Sequence, residues 1–168
     1  SFDHTREIGR RRGARLVQIR PDDFTFGHSL NEGIRHSVGR HLAIVSAHTR
    51  PLSADWLEHL VAPLRDERVA MVYGLQRGAP ESKYGELRDF ERTFGREARA
   101  LTPPHFFANN ANSAVRRDLW DQQAFDETLP GLEDVAWAKH WMERGYRVAY
   151  EPAAGICHIH EETWPQVR

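Results

Sequence analysis

The chain has 168 residues, a length typical of one domain with a single apolar core. Its 23 basic and 24 acidic residues give a net charge of −1, which excludes the basic excess typical of a nucleic-acid-binding module. The single cysteine excludes an intramolecular disulfide, and no apolar run approaches the ~20 residues of a membrane-spanning helix.

The first third of the chain predicts a helix, a strand and a second helix. Residues 1–13 are polar and rich in arginine, which favours a helix that is exposed on most of its surface. Residues 14–19 alternate in the manner of a short strand. Leu30, Ile34 and Val38 then recur every fourth position, which predicts one apolar helix face that ends at Gly39.

The next segments predict the core of an α/β sheet. Residues 41–47 are a short apolar run typical of a buried parallel strand, and residues 53–64 follow as a helix with an apolar face. Residues 69–73 are rich in β-branched and apolar side chains and predict another strand. Alternating strands and helices indicate a mostly parallel sheet flanked by helices.

The second half of the chain mixes longer helices with short strands. Residues 83–101 carry apolar side chains at helical spacing among charged ones, so they predict one long amphipathic helix. A short helix is expected around Leu119 and a longer one over residues 133–144. Residues 146–150 and 155–158 predict two short strands.

Two polar clusters follow turns at which a site could form. His48 lies in the turn directly after the strand at 41–47, and ligands of open α/β sheets bind beyond the ends of strands. Glu133 and Asp134 open a helix, where they either complement the helix dipole or supply a general base. An ordinary loop and an ordinary helix start remain the alternatives.

Two further clusters offer metal-ligating and hydrogen-bonding groups. His158 and His160 are alternate residues of a strand, so both imidazoles point the same way, although most metal sites need a third ligand. Asn110 and Asn112 lie in a run of amides that suits sugar hydroxyls and also suits a turn.

The order and spacing of these segments resemble glycosyltransferase family 2, and most closely its rhamnosyltransferase-like branch. The matching stretches are residues 24–34 (FTFGHSLNEGI), 46–51 (SAHTRP), 107–117 (FANNANSAVRR) and 133–137 (EDVAW). The resemblance extends over nearly the whole chain. It implies a GT-A-like α/β fold and an inverting transfer of sugar from a nucleotide diphosphate donor.

The resemblance also implies roles for individual residues. Asp134 matches the catalytic base that deprotonates the acceptor hydroxyl, and Glu133 would orient that base or contact the acceptor. His48 falls at the metal-binding turn, and a late histidine, His158 or His160, falls near the same ion. The residues implied to line the donor or acceptor side are Asn31, Asn110, Asn112 and Arg116.

The chain departs from the family pattern at two places. The turn around His48 has no carboxylate, so the divalent cation could be Mn²⁺ or Mg²⁺, of which imidazole suits Mn²⁺ better. The alternative is that imidazole or arginine meets the phosphate charge in place of a metal. Residues 1–5 (SFDHT) resemble the end of the family's second nucleotide-binding turn, so the first two strands are expected to be missing from a single partial domain over residues 1–168. Such a domain would need that N-terminal segment or would form a homo-oligomer.

The predicted partners are a nucleotide-sugar donor and a glycan or lipid-linked acceptor, with no nucleic acid. The resemblance implies work on polysaccharide precursors at the cytoplasmic face of a bacterial membrane. Two alternatives stay open. The first is a non-catalytic transferase-like module that binds sugar or nucleotide. The second is a metal-dependent hydrolase that uses His48, Asp134, His158 and His160.

Overall fold

The computed structural model describes residues 4–80 and 82–159. The α-helices in these ranges are α1 (Thr5–Arg11), α2 (Phe26–Arg35), α3 (Trp56–Val61), α4 (Tyr84–Thr93), α5 (Arg117–Trp120) and α6 (Glu133–Met142). The strands are β1 (His41–Val45), β2 (Thr49–Pro51), β3 (Val69–Gly78), β4 (Arg99–Leu101), β5 (Asn112–Arg116) and β6 (Arg147–His158). Two 3₁₀ turns lie at Pro21–Asp23 and Ala62–Arg65.

All the strands join one sheet in the order β1-β5-β3-β6-β2, and β4 pairs with β6. This arrangement confirms the α/β fold with a sheet flanked by helices. The expectation of a mostly parallel sheet was wrong in detail, because β3–β6 is parallel while the other four pairs are antiparallel. A strand that is covered on both faces is apolar throughout, whether it pairs in parallel or antiparallel fashion. The sequence therefore could not distinguish the two kinds of pairing.

The directions of the strands place several loops at the same end of the sheet, beyond the ends of the strands. Both β1 and β3 are antiparallel to β5, and β6 is parallel to β3, so β1, β3 and β6 point the same way. The end of β1 and the start of β5 therefore lie side by side, with Val45 opposite Asn112. Polar residues just after β1 and just before β5 are brought together at this end of the sheet.

Alternate side chains of the central strands enter apolar clusters on opposite faces of the sheet. Tyr73 and Val115 belong to the larger cluster, which includes side chains from α5 and α6. Val72 and Ala114 belong to a smaller cluster with α3. The sheet therefore has a helix-covered core on each face.

Several predicted elements differ from the structure. Residues 14–19 are not a strand, because they have no pairing partner in the described sheet. Helix α2 ends at Arg35, which leaves Val38 outside it and 93% exposed. The two short strands predicted near the C-terminus are one strand, β6, that continues through residues 151–155.

The predicted helix over residues 83–101 is shorter than expected. Helix α4 ends at Thr93, and Arg99–Leu101 pairs with β6 as a strand. Phe94, just after the helix, is buried against Tyr73 and Phe107. Tertiary pairing overrides the helical spacing of this segment. No described helix is long and apolar enough to cross a membrane.

Candidate active site

Glu133 and Asp134 begin α6 directly after a turn through Leu132. Leu132 has a φ of 63°, in the left-handed region that residues with a Cβ rarely adopt. Such a conformation persists where the surrounding structure requires it, and it is enriched at functional sites. After the turn, Glu133 is buried and Asp134 is half-buried. The two predicted catalytic carboxylates thus lie at a conformationally restricted position.

Backbone N–H groups hold the Asp134 carboxylate. Asn110 N donates to Asp134 Oδ2 at 2.9 Å, and Val135 N donates to Asp134 Oδ1 at 2.7 Å. Each carboxylate oxygen can accept a further hydrogen bond. The carboxylate is therefore fixed in direction and keeps capacity for the proton of a bound hydroxyl group.

The side chain of Asn110 connects the neighbouring groups. Its Nδ2 donates to Glu133 Oε1 at 3.2 Å, and its Oδ1 accepts from Ser113 Oγ at 2.8 Å. The structure therefore brings Asn110, Glu133 and Asp134 into one cluster. Glu133 is buried within it and accepts a hydrogen bond from the loop that also holds Asp134.

The predicted metal-binding turn lies beside the same loop. Ser46 N, just after β1, donates to Ala111 O at 3.1 Å. His48 stacks on His158, with ring centroids 4.9 Å apart and planes inclined by 20°. Ile159 N donates to His48 O at 3.0 Å, which ties the turn to the end of β6. His48 and His158 are thus brought together, while His160 lies outside the described residues.

Gln76 orients the His158 ring. His158 Nδ1 donates to Gln76 Oε1 at 2.9 Å, so the proton of a neutral ring lies on Nδ1 and the lone pair on Nε2. Metal-ligating histidines commonly donate their other ring N–H to an oxygen acceptor in this way, which fixes the orientation of the ring. Within residues 4–80 and 82–159, no group of three His, Cys, Asp or Glu side chains could hold a metal ion. The hydrolase alternative therefore gains no support from the described part of the chain.

A cleft of about 1010 Å³ opens next to Gln76. It lies between the end of β3, helix α4 and Pro152–Ala153 of β6. Phe90 of α4 lines it and also lies 6.0 Å, ring to ring, from His158. The cleft therefore adjoins the histidine pair and is large enough for a small-molecule ligand.

Asn31 and Asn112 have structural positions in place of the ligand-contacting ones that the sequence predicted. Asn112 is fully buried, donates to Leu75 O and Ala154 O, and accepts from Trp56 Nε1 at 3.0 Å. Asn31 is also buried; its amide bonds to groups of Trp120, Phe125 and Glu127. Both amides use their hydrogen-bonding capacity to hold elements together.

Arg116 was predicted at the donor or acceptor side, but it lies at the opposite end of β5 from Asn112. Four strand residues span about 13 Å, so Arg116 is remote from the loop that precedes β5. Its guanidinium pairs with Asp118 at 2.7 Å and donates to Glu67 O. Through these contacts Arg116 connects neighbouring segments of the chain at the opposite end of the strands.

The polar residues of the cleft were not among the predicted site residues. Gln76, Arg77 and Arg96 line it, and none of them belongs to a motif. One signal was present, since Gln76 is a polar residue directly after the apolar run at the start of β3. A buried amide in such a strand predicts a hydrogen-bonded role.

Comparison with known sequences identifies relatives. The sequence profile of Glycosyl transferase family 2 matches residues 1–122. The O-antigen chain rhamnosyltransferase WbaN of Salmonella anatum is 23% identical over 97% of the chain. The Pre-mycofactocin glycosyltransferase of Mycobacterium tuberculosis strain H37Rv is 33% identical over 62% of the chain. The chain spans 55% and 24% of the lengths of these two relatives.

Solved structures share the fold. The mannosyltransferase PcManGT of Pyrobaculum calidifontis, in complex with GDP-Man and Mn²⁺, has a TM-score of 0.69 and 24% identity, and the match covers 98% of this chain and 46% of that one. Glucosyl-3-phosphoglycerate synthase of Mycobacterium tuberculosis, with Mn²⁺ and UDP-glucose, has a TM-score of 0.65 and 16% identity, over 99% and 60% of the two chains. At these identities, the likeness establishes the architecture.

Proposed function

Since the chain belongs to Glycosyl transferase family 2, we propose that it forms the acceptor-side part of a glycosyltransferase domain. This domain transfers a sugar from a nucleotide diphosphate donor to a glycan or lipid-linked acceptor, with inversion at the anomeric carbon. The observation that carries the proposal is the Asp134 carboxylate, held by Asn110 N and Val135 N. The relatives that are named as transferases of sugars support the reaction class.

Asp134 acts as the general base of this reaction. Its carboxylate accepts the proton of the acceptor hydroxyl while the hydroxyl oxygen forms a bond to the anomeric carbon of the donor sugar. The bond from that carbon to the diphosphate breaks in the same step, and the nucleoside diphosphate leaves. The two backbone N–H groups fix the carboxylate in one direction, so little reorganisation is needed on reaction.

His48 and His158 would hold a divalent cation beside the donor diphosphate. Two imidazoles, one oriented by Gln76, suit Mn²⁺ better than Mg²⁺, which prefers oxygen ligands. They would supply part of its coordination shell, and a cation bound there would neutralise charge on the departing diphosphate. The Mn²⁺ in the structures of PcManGT and glucosyl-3-phosphoglycerate synthase supports this assignment.

The full catalytic domain, in this proposal, also contains two nucleotide-binding strands. The motif that suggested them, residues 1–5, lies partly outside the described residues. In the described sheet, β1 pairs only with β5, so its other edge could accept a further strand. Association of two copies through this edge is the alternative, and light scattering on the full-length protein distinguishes the two. We place the reaction at the cytoplasmic face of a membrane, on the resemblance alone.

The base assignment is tested by Asp134→Asn in the full-length protein. We expect kcat to fall by at least about 100-fold, because the amide cannot take up the acceptor proton. Donor binding is expected to be unchanged, because asparagine keeps the shape of the side chain. Steady-state transfer assays and a separate donor titration measure the two effects.

The matched control is Glu143→Gln, which changes a carboxylate at the other end of α6 and should leave kcat unaltered. If Asp134→Asn kept the wild-type turnover, the base would have to be another residue. The absence of a carboxylate from residues 46–51 favours a second candidate function, a module that binds donor without transfer. Donor binding without turnover by the wild-type protein would support that candidate.

A further inference from the structure

The walls of the cleft between β3 and α4 combine apolar and hydrogen-bond-donating groups. Leu75, Leu87, Phe90 and Phe94 form the apolar part. Gln76, Arg77 and Arg96 supply the donors. A cleft of this composition suits a molecule that carries both an apolar portion and a hydrogen-bond acceptor.

The Gln76 amide has hydrogen-bonding capacity that the described residues do not use. Its side chain is 2% exposed, and Oε1 accepts from His158 Nδ1. Among the described residues, no acceptor lies within hydrogen-bonding distance of the buried Nε2. A buried donor that is left without a partner is unfavourable, so a ligand acceptor that reached it from the cleft would lower the free energy.

The charge of the cleft is positive. Neither Arg77 nor Arg96 forms an ion pair with any carboxylate in the described part of the chain. Glu91 also lines the cleft, but it pairs with Arg88 at 3.0 Å. Two arginines therefore line the cleft without a paired carboxylate among the described residues, and guanidinium binds phosphate and carboxylate through paired hydrogen bonds.

We infer that the cleft binds a phosphate group, through Arg77, Arg96 and the Gln76 amide. The apolar side chains of α4 would contact the part of the molecule next to that phosphate. That this molecule is the sugar acceptor rests on the proposed function, whereas the binding of phosphate does not. The acceptor would then be a phosphorylated compound, either a sugar phosphate or a phosphate on an apolar chain.

The experiment is calorimetric titration of the full-length protein without donor. The probes are glucose 1-phosphate and hexyl phosphate, each compared with its neutral counterpart, glucose or hexanol. We expect at least one phosphorylated probe to bind about tenfold or more tightly than its counterpart, as one charge-assisted hydrogen bond predicts. The tighter of the two probes identifies the source of the phosphate.

Arg77→Gln and Arg96→Gln are each expected to weaken binding of the phosphorylated probe by about tenfold. Arg92→Gln removes the same charge from α4 outside the cleft and is the matched control. Circular dichroism checks that each variant is folded. Equal affinities for phosphorylated and neutral probes, or unchanged affinities in both cleft variants, would overturn the inference.

The outcomes also separate this inference from the proposed function. Phosphate binding that persists in a protein without transferase activity would contradict only the proposed function. Transfer with an unchanged acceptor KM in Arg77→Gln and Arg96→Gln would contradict the assignment of the phosphate to the acceptor.

Discussion

The Glu127 carboxylate contacts three side chains of α2. Its carboxylate accepts from Asn31 Nδ2 at 2.8 Å, lies 2.9 Å from His28 Nδ1 and is 3.3 Å from Arg35 Nη2. The hydrogen bond from Asn31, and then that from His28, lowers the pKa of Glu127 below its ordinary value. Because Asn31 also bonds to Trp120 and Phe125, the charge of Glu127 is connected to the buried contacts of α2.

This contact predicts a pH dependence of stability. The folded state binds the Glu127 proton more weakly than the unfolded state, so the stabilisation is present above the ordinary pKa of about 4.3. It is lost as pH falls from that value through the lower pKa of the folded protein. Urea unfolding at pH values from about 7 to about 3 should show a steeper loss of stability in the wild type than in Glu127→Gln.

The control for this measurement is Glu143→Gln. Glu143 pairs with Lys139 on the surface of α6, and exposed pairs contribute little to stability. We expect its unfolding profile to follow that of the wild type. Parallel profiles of the wild type and Glu127→Gln would contradict the proposed role of Glu127.

At the scale of elements, β3 and β6 approach closely at Gly74. The parallel ladder between these strands shifts register between Gly74 and Gln76, where β6 passes through Pro152 and Ala153. A Cβ on Gly74 would overlap the backbone oxygen of Ala154 and the side chain of Asn112. Asn112 in turn bonds to Ala154 O, so neither neighbour can move without losing a contact.

Gly74→Ala is therefore expected to destabilise the protein by about 1–3 kcal/mol, as overpacking of a core does. Gly33→Ala is the matched control, because a Cβ there meets no atom within 4 Å on the exposed side of α2. Alanine in a helix should stabilise by up to about 1 kcal/mol. Thermal and urea unfolding compare the two variants, and equal stabilities would contradict the close approach.

The same elements show what could be predicted from the sequence. Helix α6 and strand β3 were predicted near their observed positions, because periodicity, turns and β-branched runs are local signals. The end of α4 was not, since it depends on the pairing of Arg99–Leu101 with β6. The sequence does not distinguish an asparagine that binds a sugar from one that is hydrogen-bonded in the core, so the structural roles of Asn31 and Asn112 could not be predicted.

At the scale of the whole molecule, the candidate site lies at one end of the sheet, where loops connect the strands. The turn after β1 carries His48, and the loop before β5 carries Asn110, which holds Asp134. Because β5 runs opposite to β1, its start lies beside the end of β1. Ligands of α/β sheets bind beyond the ends of the strands, so donor and acceptor would meet there.

This arrangement predicts metal-dependent nucleotide binding by the full-length protein. UDP, GDP and dTDP, each with Mn²⁺ or with a chelator, are compared by thermal shift. A nucleotide at 100 times its Kd should stabilise by about 2.7 kcal/mol in Mn²⁺ and by less with the chelator. His158→Ala should reduce the metal-dependent part of the shift.

His59→Ala is the control, because His59 pairs with Asp55 at the exposed start of α3. An equal shift with Mn²⁺ and with the chelator would contradict a cation at His48 and His158. No shift with any of the three nucleotides would contradict nucleotide binding by these elements.

Gln76 belongs to both sides of this site, because its amide orients His158 and the residue also lines the cleft. A phosphate that draws the amide toward itself would change the position of the imidazole. Cooperativity between the two ligands follows, and it must be reciprocal: if the phosphate strengthens nucleotide binding, the nucleotide strengthens phosphate binding by the same factor. Nucleotide affinity measured with and without glucose 1-phosphate would report this factor, and Gln76→Leu should abolish it.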